Sequence, residues 1–241
     1  RQAFDETVFV EWGQETPSTG PYLRPDQRIM KAQSTAYAAI DYETIKKDKT
    51  QNNRLITDCS LLFFLRSLYK QLRVSLILGF ADAVYYSSED GEKAVREAVY
   101  GQVLDKVAKY ENDEVCLHVI GHSLGCTVAF DFLYGLFAPS KSWKAGKPDF
   151  AESEKYGSLF MKLRRKQENG ELRLGSKVSL ASQLPATLLR KQKVVDILSS
   201  GGRLDPSVIG IRAEKPVQWK IFYDIDDVLS FPTRNLFKNN E

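Results

Sequence analysis

Residues 115–132 read VCLHVIGHSLGCTVAFDF. Val115 to Ile120 is a near-continuous apolar run, as expected of a strand covered on both faces. Gly121-His122-Ser123-Leu124-Gly125 then spells G-x-S-x-G. From Leu124 to Phe137 only Thr127, Asp131 and Tyr134 are polar, at helical spacing, so the segment reads as a helix buried around most of its circumference. A serine between such a strand and such a helix has a chemical sense. A tight turn lifts its hydroxyl off the end of the sheet, and glycines on either side avoid collisions with neighbouring backbone. The Leu124 N–H, at the helix start, then points at an oxygen that becomes negative during acyl transfer. Ser123 is therefore the candidate nucleophile and Leu124 the candidate oxyanion donor, with Gly121, His122 and Gly125 completing the elbow.

Outward from this stretch, strands and helices alternate. Thr7 to Trp12 reads as a strand, and Gly13 to Gln27 as a polar loop rich in proline and glycine. Leu55 to Leu78 reads as one or two buried helices, ended by Gly79 to Tyr86, with a turn at Ser87 to Gly91. Val95, Val99, Val103 and Val107 mark an amphipathic helix. Residues 138–171 are charged and loop-like, with a short helix at Ser158 to Gln167. A strand within Leu172 to Pro185, a helix at Ala186 to Leu198, a loop at Ser199 to Pro216 and a strand at Trp219 to Tyr223 follow. This order predicts a single α/β domain over residues 1–241: a mostly parallel sheet with helices on both faces and functional groups at the strand C-termini. Residues 139–171 form a charged insertion that could serve as a lid.

Composition removes several classes. With 43% hydrophobic and 27% charged residues, 15 Gly and 9 Pro in 241 residues, the chain is neither disordered nor repetitive. A net charge of +3 without a dense basic block argues against nucleic acid as a partner. The apolar runs stop short of the ~18 residues of a membrane-spanning helix. Three cysteines, Cys59, Cys116 and Cys126, are too few for a disulfide framework. The apolar setting of the last two predicts buried, reduced thiols and a cytoplasmic location. No zinc, Walker or dinucleotide spacing occurs, so neither a metal nor an organic cofactor is expected.

The elbow and its surroundings resemble the α/β-hydrolase superfamily in its lipase and esterase branch, notably the DDHD-type intracellular phospholipases, class 3 lipases and a group of bacterial hydrolases. Asp82-Ala83-Val84-Tyr85-Tyr86 is similar to an Asp-Val-x-x-Tyr element upstream of the elbow in that group. Ser179 to Pro185 stands where those proteins have a strand ending in Gly-Ser-Pro, with Ala181 replacing the glycine and Gln183 the proline. Asp227-Val228-Leu229-Ser230-Phe231-Pro232 resembles their Asp-Pro-Leu-Ala-Tyr-Pro. The resemblance implies a serine hydrolase acting on a lipid or other small-molecule ester. Its triad acid would be Asp227, with Asp226 the alternate under the class 3 lipase spacing. Asp224, Asp226 and Asp227 also fit plain loop caps, and strand-then-Asp224-x-Asp226 fits the nucleophile motif of haloacid-dehalogenase-type phosphatases, although in those proteins it opens the domain.

The base is the missing part. The sequence holds two histidines, His118 and His122. His118 lies about 16 Å before Ser123 at ~3.3 Å per strand residue. The His122 side chain should project away from the serine. The expectation is a catalytic histidine beyond residue 241 and a second oxyanion donor before residue 1, so that these 241 residues alone would be inactive. The other reading is a hydrolase-fold binding module without catalysis. In residues 158–167, Leu159, Phe160, Met161 and Leu163 beside Lys162, Arg164, Arg165 and Lys166 fit either contact with an anionic membrane surface or a surface helix packed on its own domain.

Overall fold

A computed structural model describes residues 7–10, 83–143, 146–211, 217–224, 230–233 and 236–238. The chain divides into two compact units, one of Arg1–Trp12 with Glu92–Glu241 and one of Gly13–Gly91. Of the second unit, residues 83–91 are described. Residues 83–87 are helical, and after a bend at Ser88 the chain enters helix α1 (Glu89–Val107). The predicted turn at Ser87 to Gly91 thus shrinks to one residue, because Ser88 Oγ accepts the Gly91 N–H (3.1 Å) and starts a new helix at once. Asp82 and the predicted helices of Leu55 to Leu78 lie outside the described residues.

The larger unit is a mixed α/β structure. Strand β1 (Val115–His122) leads into α2 (Gly125–Phe137) and α3 (Gly157–Glu168), then β2 (Leu172–Leu180), α4 (Leu184–Leu188), α5 (Gln192–Ser199) and β3 (Gln218–Phe222). The strands form a parallel sheet in the order β1-β2-β3. Thr7 to Val10, the described part of the expected first strand, form no strand, and Phe9 is 84% exposed. Their β-branched residues supply propensity but find no pairing partner among the described residues, and pairing decides a strand.

Helices α2 and α3 pack against the sheet and each other. Tyr100 of α1 joins Phe132 of α2, Phe150, and Phe160 of α3 in one aromatic cluster, with the first two ring centroids 4.9 Å from Tyr100. The buried stripe of α1 is Val95, Tyr100 and Leu104, whereas Val99, Val103 and Val107 flank it half-buried. Steps of four residues overshoot the helical turn by about 40° each, so a strict i+4 row winds off the packed face. Phe160 and Leu163 of α3 are buried. No helix among the described residues is long and apolar enough to cross a membrane.

Among the described residues β1 is covered on one face only. Cys116, His118 and Ile120 point to the opposite face and are exposed, Ile120 at 72%. Two expectations fail here together: a strand buried on both sides, and a buried Cys116. Helices pack against only one side of β1 among the described residues, so the apolar run signals strand propensity more than two-sided burial. Cys126, on α2, is buried as expected.

On the covered face of β2 lies an ammonium. Lys177 is 1% exposed, its Nζ 4.7 Å from the centre of the Trp219 ring and 3.5 Å from Ser179 Oγ. Burial lowers its pKa from 10.5 to about 8, while the Cys126 thiol works weakly in the opposite direction.

Candidate active site

The three strands end level with one another, since His122, Leu180 and Phe222 are successive partners across the sheet. Whatever follows each strand therefore converges on one edge. Ser123 follows β1, residues 181–183 follow β2, and Asp224 stands two residues beyond β3.

Ser123 has φ 51, one of two non-glycine residues with positive φ among the described residues. L-residues with a side chain avoid this region, and where they adopt it the surrounding structure must impose it. Here the constraint is visible. The Ser123 N–H donates to Leu180 O (2.9 Å), and Ser123 O accepts the Cys126 N–H (3.0 Å), which bends the chain from strand into helix within one residue. A Cβ on Gly121 would lie 2.8 Å from Cys126 Cα and 3.0 Å from Gly125 O, so close strand-to-helix packing requires glycine there. Gly125 differs: a Cβ would meet nothing within 4 Å, and the residue is already helical. The expected need for glycine at both positions thus holds only at Gly121, because the chain has left the crowded turn two residues after the serine.

Leu124 has helical backbone angles (φ −58, ψ −29) at the head of α2, with no side-chain cap. Among the described residues its N–H and that of Gly125 have no acceptor. Together with the helix dipole, they form a small electropositive end beside a half-buried serine.

The second positive-φ residue is Ala181 (φ 48), just after β2. Its N–H donates to Phe222 O (3.0 Å). The reversal it makes delivers Gln183, 7% exposed, whose Nε2 donates to Ser123 Oγ at 3.1 Å. This contact was not anticipated from the sequence, where Gln183 was only a departure from a Gly-Ser-Pro pattern. The available signal was positional: residues after two neighbouring parallel strands meet at the same sheet edge.

Among the described residues the side chain bonded to Ser123 Oγ is that of Gln183, not a histidine. His118 Nδ1 shares a 2.8 Å hydrogen bond with Ser176 Oγ, and its Nε2 lies 3.7 Å from Cys116 Sγ, on the exposed sheet face. A β-bulge between Leu117 and His118 places Gly175 beneath this pair. A Cβ there would sit 2.5 Å from His118 Cε1 and 2.7 Å from Cys116 Sγ. His122 ends β1, exposed. Asp224 is exposed, and Asp226 and Asp227 lie outside the described residues.

The helix behind the elbow is held at both flanks by charge. Asp131, 4% exposed, is bound by Arg96 of α1 (3.3 Å), by Arg190, and by Lys191 (3.4 Å). Glu92 joins the same group through Arg96 and Arg190. The polar stripe of α2 faces these partners and Thr187, whose Oγ1 shares a 2.7 Å hydrogen bond with Thr127 Oγ1. At the far end, buried Arg164 of α3 donates to Gly135 O, Leu136 O and Ala138 O, at 2.8, 3.1 and 2.9 Å. A helix leaves its last carbonyls without donors, and this guanidinium supplies them. Burial lowers the Arg164 pKa, against the pull of Glu168.

Among the described residues no group of three or more His, Cys, Asp or Glu side chains could hold a metal ion. Scans against family models, curated proteins and solved structures found no match for this chain.

Proposed function

We propose that this chain is a serine hydrolase of the α/β-hydrolase fold that cleaves a carboxylic ester, with Ser123 as nucleophile. The observation that carries the reading is the backbone of Ser123, held at φ 51 between a parallel strand and a helix whose first N–H groups are open. Folds store such strain where a side chain must be presented at a fixed angle. In the reaction, Ser123 Oγ bonds to the carbonyl carbon, its proton passes to an imidazole, and the carbonyl π pair moves onto oxygen. Collapse expels the alcohol, which takes that proton. Water then hydrolyses the acyl-enzyme by the same steps.

The imidazole of this reading is neither His118, engaged with Ser176, nor His122, exposed at the end of β1. Asp227, or Asp226, orients it. In this reading the sheet carries helices on both faces and the substrate is lipid-like, as the resemblance of the elbow implies. A second reading is a non-catalytic module, favoured by the Gln183 amide, the group that the described residues place on Ser123 Oγ.

A fluorophosphonate tests the choice. The full-length protein should be labelled at Ser123, and Ser123→Ala should abolish labelling. A full-length protein that stays unlabelled sinks the esterase reading and leaves the binding module.

A further inference from the structure

The geometry points to Gln183 as a catalytic residue that supplies the second oxyanion donor through its side-chain amide. The inference rests on the hydrolase reading above and adds to it a group that the elbow motif does not contain.

Gln183 is well placed for such a role. Its Nε2 donates to Ser123 Oγ at 3.1 Å, and an amide nitrogen carries two N–H groups. The oxyanion forms on the carbon that becomes bonded to Oγ, so an amide that keeps one N–H on Oγ has its second N–H beside the new oxygen without leaving its place. Useful oxyanion donors must be fixed in advance, because reorganisation during the reaction cancels their benefit. Gln183 meets that condition. Its backbone O accepts from Ala186 N–H (3.1 Å), Thr187 N–H (3.1 Å) and Thr187 Oγ1 (3.2 Å). Just before it, Ser182 is wholly buried, with its Oγ accepting the Leu184 N–H and its O accepting the Phe231 N–H. Ala181 holds φ 48 to make the reversal. A strained residue, a buried serine and a buried glutamine in succession are costly for a plain connection between a strand and a helix.

The chemistry of the side chain also fits. A primary amide is neutral across the working pH range, so it donates to an anion without titrating. It complements the Leu124 N–H, which has no acceptor among the described residues. The ligand class is a carbonyl oxygen that gains negative charge as the Ser123 Oγ–carbon bond forms and the proton leaves to the imidazole.

The experiment compares wild type, Gln183→Met and Gln183→Glu in the full-length protein. It measures p-nitrophenyl butyrate hydrolysis, fluorophosphonate labelling rate and Tm. Gln183→Met should lower kcat about 100- to 1,000-fold with KM little changed, the loss expected for one oxyanion donor. Gln183→Glu keeps the shape but replaces a donor with a negative charge, and should fall at least as far. Both variants should keep a wild-type Tm within a few degrees. A Gln183→Met enzyme with wild-type kcat overturns the inference while the esterase reading stands. So does an active Gln183→Glu enzyme, which would mark the side chain as a hydrogen-bond acceptor bracing the serine. A wild type that neither hydrolyses the ester nor labels at Ser123 overturns both.

Discussion

Lys177→Met should make the protein more stable, and the gain should depend on pH in one direction. Lys177 is buried against Trp219 with a pKa near 8 instead of 10.5. At about 1.4 kcal/mol per tenfold in protonation, keeping the charged amine folded at pH 7 costs about 3 kcal/mol. Its contact with the Trp219 face favours only the charged amine and is already contained in that shift, so methionine, of similar length and no charge, would avoid the whole of this cost. Between pH 8 and 10.5 the unfolded chain holds a proton that the folded chain has released, so wild-type stability climbs with pH across that window and is level below it. The variant lacks this climb. Its advantage should be about 3 kcal/mol at pH 7, or about 6–12 °C in Tm, and should close by pH 10.5. Urea unfolding of both proteins at pH 7, 8.5 and 10 measures it. An equal gap at all three values, or a variant less stable than wild type at pH 7, would refute the reasoning.

Two further perturbations probe the supports of the sheet and the elbow helix. Gly175→Ala should destabilise by about 1–3 kcal/mol, because its Cβ falls within 2.7 Å of His118 and Cys116 atoms, and adding His118→Ala should recover most of the loss in a double-mutant cycle of thermal unfolding. Arg164→Met should cost about 3 kcal/mol in denaturant unfolding by leaving three carbonyls at the end of α2 without their donor, whereas exposed Arg165→Met should change little.

The parts of this structure that were legible in the sequence are those fixed locally. β1, β2, β3 and α2 announce themselves by apolar runs and helical spacing, and the elbow by glycine at a position where a Cβ would strike Cys126. The parts that were not legible depend on partners distant in sequence. Thr7 to Val10 has strand-forming residues and pairs with no strand among the described residues. Asp131 looked like part of a polar stripe, and only the fold brings Arg96, Arg190 and Lys191 to it. Gln183 reaches Ser123 because two parallel strands end level, a fact of register that hydrophobic pattern does not encode.

Arg164 also bears on how the serine is approached. The segment after α2 occupies the place of a lid in the sequence, yet α3 is riveted by this side chain to the end of the same helix whose head forms the elbow. Swinging α3 outward would strip three carbonyls of a charged donor and drag a guanidinium from beneath Trp143. At about 5 kcal/mol or more, such an opening would be populated roughly once in several thousand molecules. α3 is thereby fixed to the tail of the helix whose head adjoins Ser123, while the level ends of the three strands form the serine's own surroundings.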